Sequence, residues 1–208
     1  MSTRTVAPAA RLYQARSNQV RKALAQMAVR QFNAMPDWSD PDALAVPMAQ
    51  LSTAAQVTQA ELLTSMVSIM NGERVDLPVA EVTGNLVRDG DLVGSWRIPI
   101  FNLYSNMADG LLNQDGLISA AHDDVQVQAT TDLALSQRMA MTQLGQNTDQ
   151  IVGYWRVPEG GSSCDFCNLI ADQMYHIEDL MPVHPNCSCS VEPAFASEGD
   201  SGSADEGD

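Results

Sequence analysis

All four cysteines of the chain fall in one stretch near its carboxyl end, GSSCDFCNLIADQMYHIEDLMPVHPNCSCSVEP, from Gly161 to Pro193. They form two tight pairs, Cys164-x2-Cys167 and Cys187-x-Cys189, with His184 just ahead of the second pair. A C-x2-C turn aims two sulfurs at one centre, and His184-x2-Cys187 repeats that spacing on the other side, with Pro185 and Asn186 supplying turn chemistry. Five soft ligands (Cys164, Cys167, His184, Cys187 and Cys189) are therefore available to an ion that takes four, and one is expected to be spare. Which four bind is left to the local backbone. Cys and His donors at this spacing point to tetrahedral zinc, although iron would accept the same donors. A site whose places are filled by protein is structural, and it would hold together a segment too small to build a stable core alone.

Other uses of the thiols fit less well. The amino terminus carries regularly spaced charges and no apolar run long enough for a signal-peptide core, and no window approaches the roughly 18 apolar residues of a membrane span. The expectation is a soluble chain in a reducing compartment, where persistent disulfides are uncommon. A redox C-x2-C would need a βαβ setting that this end of the chain lacks. A nucleophilic Cys187–His184 pair has no orienting group or oxyanion motif beside it, and the neighbouring acids would raise the thiol pKa.

Charge separates the two ends of the chain. Residues 1–40 hold Arg4, Arg11, Arg16, Arg21, Lys22 and Arg30 against Asp37 and Asp40, whereas no Lys or Arg follows Arg156 and the formal net charge is -15. An acidic cysteine region is poorly suited to following phosphates, so specific nucleic-acid binding is not expected.

The remainder reads as helices. At 45% hydrophobic but only 5% aromatic residues, the composition favours aliphatic helix packing over an aromatic-rich sandwich. Tyr13, Val20, Leu24, Met27, Ala28 and Phe32 recur at helical spacing between Arg11 and Phe32, with the basic residues on a face read as solvated. Pro36, Pro41 and Pro47 are expected to break that helix, with Asp40 or Asp42 capping the next. From Met48 to Ile69, the positions Met48, Leu51, Ala55, Thr58, Leu62, Ser65 and Ile69 make a heptad-like seam suited to bundle packing or to self-association. Asn71-Gly72 and the region around Pro78 suggest a break and an extended piece. The segment Asn85–Gly110, with Gly90, Gly94 and Pro99, reads as short helical or irregular structure.

A further helix is expected from Asp115 to Gly145, and a short strand from Val152 to Pro158. A short helix over Asn168–Val183 should then place Leu169, Ile170, Met174 and Tyr175 over the metal. The fold class is thus mainly α: an elongated helical body (1–150), a small α+β zinc-held module (151–195) and a disordered acidic tail (196–208) with little to bury.

The segment from Gly153 to Pro193 resembles the carboxyl-terminal module of the Mu F-type head morphogenesis, or minor capsid, proteins of tailed bacteriophages, in the form found in phages of actinobacteria. The residues that carry the resemblance are Arg156, Val157, Cys164, Cys167, Tyr175, His184, Asn186, Cys187, Cys189 and Pro193, in that order and spacing; Ser188 stands where that family usually has Arg. The resemblance implies a virion protein at the portal vertex and inner capsid, made in the host cytoplasm, acting in head assembly or genome ejection. Its implied partners are the portal protein and the major capsid or scaffold protein. Two other readings stand beside it. A nucleic-acid-binding zinc protein in packaging or regulation should show a basic face near the metal. A capsid maturation protease, as some relatives of that family are described, should show a catalytic constellation; the helical body offers one histidine, His122, and no G-x-S-x-G. No catalytic residue is therefore assigned.

Overall fold

The computed structural model describes residues 5–77, 91–159, 164–171, 173–179 and 187–196. The piece around Pro78, His184, Asn186 and the acidic tail from Ser197 lie outside the described residues. Four long helices make up the body: α1 (Pro8–Asn33), α2 (Asp42–Asn71), α3 (Leu92–Asp109) and α4 (Gln114–Gln146). After them come β1 (Ile151–Val157), the single-turn α5 (Asp165–Leu169), β2 (Met174–His176) and β3 (Ser190–Phe195). The strands form one antiparallel sheet of order β2-β1-β3. The chain is mainly α, with a small sheet and a cysteine cluster in its carboxyl-terminal region. Among the described residues, no helix is long and apolar enough to cross a membrane.

Two of the expected breaks are absent. Pro47 lies inside α2, where it removes the N–H that would bond the Ala43 carbonyl. Gln31 of α1 fills the gap, its Nε2 donating to the Ala43 oxygen at 3.1 Å. The segment read as short helical or irregular structure is one 18-residue helix from Leu92 to Asp109, although Pro99 sits inside it. Asp91 starts that helix by accepting from the Gly94 N–H, and Trp96, Ile100 and Leu103 bury one face of it. Conversely, Met174–His176, expected to be helical, is a strand; Tyr154 opposes Tyr175 and the two rings stack at 5.7 Å.

The bundle interior has two apolar regions with a polar belt between them. One is built around Leu24, Phe32, Leu44, Met48, Trp96 and Leu133. The other, around Tyr13, Leu63, Met66, Met141 and Leu144, also takes in Tyr154, Tyr175 and Val191 of the sheet. Along α1, α2 and α4 the residues separating the two regions are buried and polar: Ser17 and Arg21, then Ser52, Gln56 and Gln59, then Ser136, Gln137 and Arg138. Gln59 Nε2 donates to Ser17 Oγ at 2.5 Å and Trp96 Nε1 to Ser52 Oγ at 3.0 Å. A buried hydrogen bond is satisfied in one alignment only, so the belt fixes the axial register of helices that apolar packing alone would let slide. The seam read from sequence is accordingly displaced: Met48 is buried, but Thr58, Ser65 and Ile69 are exposed.

If Gln31 caps the carbonyl that Pro47 leaves open, Gln31→Ala should cost about 1 kcal/mol in the natural chain. In a Pro47→Ala background the restored N–H bonds Ala43, and the same substitution should cost much less. Urea denaturation of the four proteins measures this coupling; equal costs in both backgrounds would remove the role given to Gln31.

Candidate metal centre

The helix α5 and the residues before β3 bring the cysteines together. Cys164 is the amino-terminal cap of α5, its Sγ accepting from the Cys167 N–H at 3.4 Å, which makes C-x2-C a hydrogen-bonded knuckle. Cys187 and Cys189 stand two residues apart just before β3, a spacing that puts both side chains on one side of an extended chain. The Sγ atoms of Cys167, Cys187 and Cys189 all lie within 4.8 Å of one another, and all three residues are buried. Cys167 and Cys187 are 4.0 Å apart, sulfur to sulfur. Tetrahedral zinc, at about 2.3 Å from each sulfur, sets its ligands about 3.8 Å apart, so the three fit such an ion with little movement. Cys164 is exposed and bonds the Cys167 thiol, but it is not among the three mutually close sulfurs. The fifth candidate, His184, lies outside the described residues.

Beneath the sulfurs lie buried arginines, although the cysteine segment itself is acidic. Arg156 of β1 is fully buried, with Nη1 3.3 Å from the Cys167 sulfur and 3.7 Å from that of Cys187. Arg21 of α1 donates to the carbonyls of Cys189 at 3.1 Å and Cys187 at 3.4 Å, and to Gln137 Oε1 on α4. Arg138 of α4 is also buried, and its Nε and Nη2 have no hydrogen-bond partner among the described residues.

Burial, followed by the charge of Arg156, pulls Arg138 down to about 10; the cysteines act on it in the opposite direction. Burial likewise pulls Arg21 down. For Arg156 burial also lowers the value, but the Cys189, Cys167 and Cys187 sulfurs outweigh it and the net direction is upward. Three buried arginines converge here, and a divalent ion bound by three or four thiolates is an anionic group that would help to balance them. The donor set and its surroundings both fit.

Two of the clustered thiols, Cys167 and Cys189, are not activated. Burial pushes Cys167 up to about 11, and Cys189 is raised further, first by its hydrogen bond to Cys187 and then by burial. Such groups are protonated at neutral pH in the metal-free protein, the reverse of a nucleophilic or redox cysteine.

Sequence reasoning missed the arginines as parts of the site. Arg21 was counted on a solvated basic face of α1, yet it lies on the stripe Tyr13, Ser17, Arg21, Leu24, Ala28, Phe32, whose members are all buried. A charge in step with an apolar stripe was the available signal. Arg156→Ala is therefore expected to lose on the order of 3 kcal/mol, since it opens a cavity and removes the contact to two sulfurs. Lys22→Ala, at the exposed neighbour of Arg21, should stay within about 0.5 kcal/mol. Urea denaturation of both variants checks the contrast, and similar costs would argue against a buried arginine support.

Residues 4–207 match the family model described as VG15 protein. No curated protein and no solved structure matches the chain.

Proposed function

The chain belongs to the VG15 protein family, a family of viral gene proteins, and is a phage protein; from this premise we propose that it is a minor capsid, or head morphogenesis, protein of a tailed bacteriophage. In this reading it sits at the portal vertex and inner capsid of the virion after synthesis in the host cytoplasm. It contacts the portal protein, and the major capsid or scaffold protein, and acts in head assembly or genome ejection. The placement at the head rests on the Mu F-type pattern from Gly153 to Pro193, taken together with a family match that spans nearly the whole chain.

One observation favours structural over enzymatic work: the buried cysteine cluster, whose sulfurs face Arg156 and whose Cys187 and Cys189 carbonyls are bonded by Arg21. Zinc bound there would supply a closed structural crosslink between α5 and the start of β3. Cys167, Cys187 and Cys189 would hold it, with the fourth place going to Cys164 or His184. Arg156 would face the sulfurs, and Arg21 would fix the backbone that presents two of them. The module would then be a folding device that shapes a docking surface.

Purified protein is expected to contain zinc by elemental analysis, and the thiols of Cys167, Cys187 and Cys189 should become titratable only in chelator. Ala at Cys167, Cys187 or Cys189 should each abolish metal retention, and only one of Cys164→Ala and His184→Ala should do so. Metal-free protein with freely reactive thiols and an intact sheet would refute the metal reading. The head reading is checked separately by whether the protein co-purifies with portal-containing particles; consistent absence from them would refute it.

A further inference from the structure

The far end of the bundle from the sheet carries apolar side chains that no part of the described fold covers. Helix α3 ends at Gly110, which takes a left-handed φ of 65°, and α4 begins one short turn later, with Asn113 Oδ1 accepting from the Gly116 N–H at 2.9 Å. Both helix ends are thus capped, and Gly110–Asn113 is a defined turn. Its two central residues are Leu111 and Leu112, where turn chemistry favours small polar residues. Leu111 is 86% exposed; Phe101 on the last turns of α3 is 54% exposed, and Tyr104, Met107 and Leu112 are exposed as well. Five large apolar side chains exposed along the second half of α3 and on the turn that follows it are not explained by the packing of the described residues.

Charge narrows the choice of partner. No Lys or Arg occurs between Arg97 and Arg138, so the α3–α4 turn itself is without a cation; of the cations nearest this end, Arg30 lies in the last turn of α1 and Arg97 is paired with Asp42 at the start of α2. The α1–α2 connection is held to this end by Tyr104 Oη donating to the Trp38 carbonyl, and it brings Asp37 and Asp40. Asp109 and Asp115 flank the leucine turn, and Asp124 on α4 accepts from Asn102 at 3.1 Å. The tip is therefore apolar at its centre, with acids predominating at its rim. Two copies meeting tip to tip would oppose acid to acid, and an anionic lipid surface or nucleic acid would be repelled.

We infer that the α3–α4 hairpin tip is a docking knob for a protein partner that presents an apolar pocket rimmed by Lys and Arg, with Leu111 and Phe101 as the anchoring side chains. A rigid apolar knob inside a polar rim is the arrangement in which a few central side chains carry most of an interface, and the acidic rim speeds encounter and sets orientation. The inference depends on neither the metal centre nor the head-assembly reading.

Its test uses the full chain, labelled for two-dimensional NMR, and a helical peptide probe with a leucine face flanked by lysines. Peptide-induced shifts should concentrate on residues 101–118, weaken in high salt, and fall at least tenfold in affinity in Leu111→Asp, a change at an exposed turn that leaves thermal stability unaltered. Shifts spread over all acidic surfaces, or unchanged by Leu111→Asp, would overturn the proposal. So would a wild-type oligomer that Leu111→Asp dissociates, which would make the tip a self-contact, or flotation with zwitterionic vesicles that the same substitution abolishes, which would make it a lipid contact.

Discussion

Arg21 joins three parts of the molecule that are far apart in sequence. Its guanidinium donates to the carbonyls flanking the second cysteine pair, to Gln137 of α4 and to Asn18 of its own helix, all in the buried interior. A buried cation is tolerated only when such acceptors surround it, and here they come from the first helix, the last helix and the metal loop together. Removing any one contributor would leave the charge short of partners. The cysteine segment is thus tied to the helical body through the least forgiving group available, and other ties along α1 run the same way. Gln14 donates to the Val157 carbonyl at 2.9 Å, and the Ala7 N–H donates to Glu192 at 3.1 Å.

This dependence changes what the cysteine cluster is for. Viewed as sequence, the module is a small unit that needs an ion because it cannot bury enough surface alone. In the fold, Tyr154, Tyr175 and Val191 of the sheet share a core with Tyr13, Leu63 and Met141 of the helices. The sheet therefore gains much of its burial from the body, and the remaining task of the cysteines is local. They gather loops whose carbonyls must sit where Arg21 reaches them, and whose sulfurs must sit where Arg156 does. A metal bound there would compensate the arginine charge while fixing those loops, so crosslink and electrostatic balance would arrive together.

Legibility from sequence follows the physics of each element. α1, α4 and β1 declare themselves through period and flanking breakers, because their buried residues are mostly apolar and their ends are marked. α2 and α3 are harder because each contains a proline, and whether a proline breaks a helix depends on a distant group. Gln31 rescuing the Ala43 carbonyl is a tertiary fact that no local window contains. The polar belt fails for the opposite reason: Ser52, Gln56 and Gln59 have the composition of a solvent face, and only the matching polar residues on α1 and α4 make them interior. At the cysteines, spacing named five candidates, of which Cys167, Cys187 and Cys189 lie together and Cys164 stands apart, while the arginine support comes from α1, α4 and β1 and carries no motif.

The same contrast separates the two ends of the bundle. At the sheet end, polar groups are buried and many are bonded to one another, so the chain has spent its chemistry on internal order. At the opposite end, apolar groups are left outside on a turn that Gly110 and Asn113 hold rigid. Folding alone gives no return for leucine at such a place, because side chains that stay in water contribute nothing to the core. A turn whose conformation is fixed by its caps needs no particular residue between them, so Leu111 and Leu112 are free of any structural demand. Residues under no internal demand, apolar and ringed mainly by acids, make sense at a contact completed by another protein.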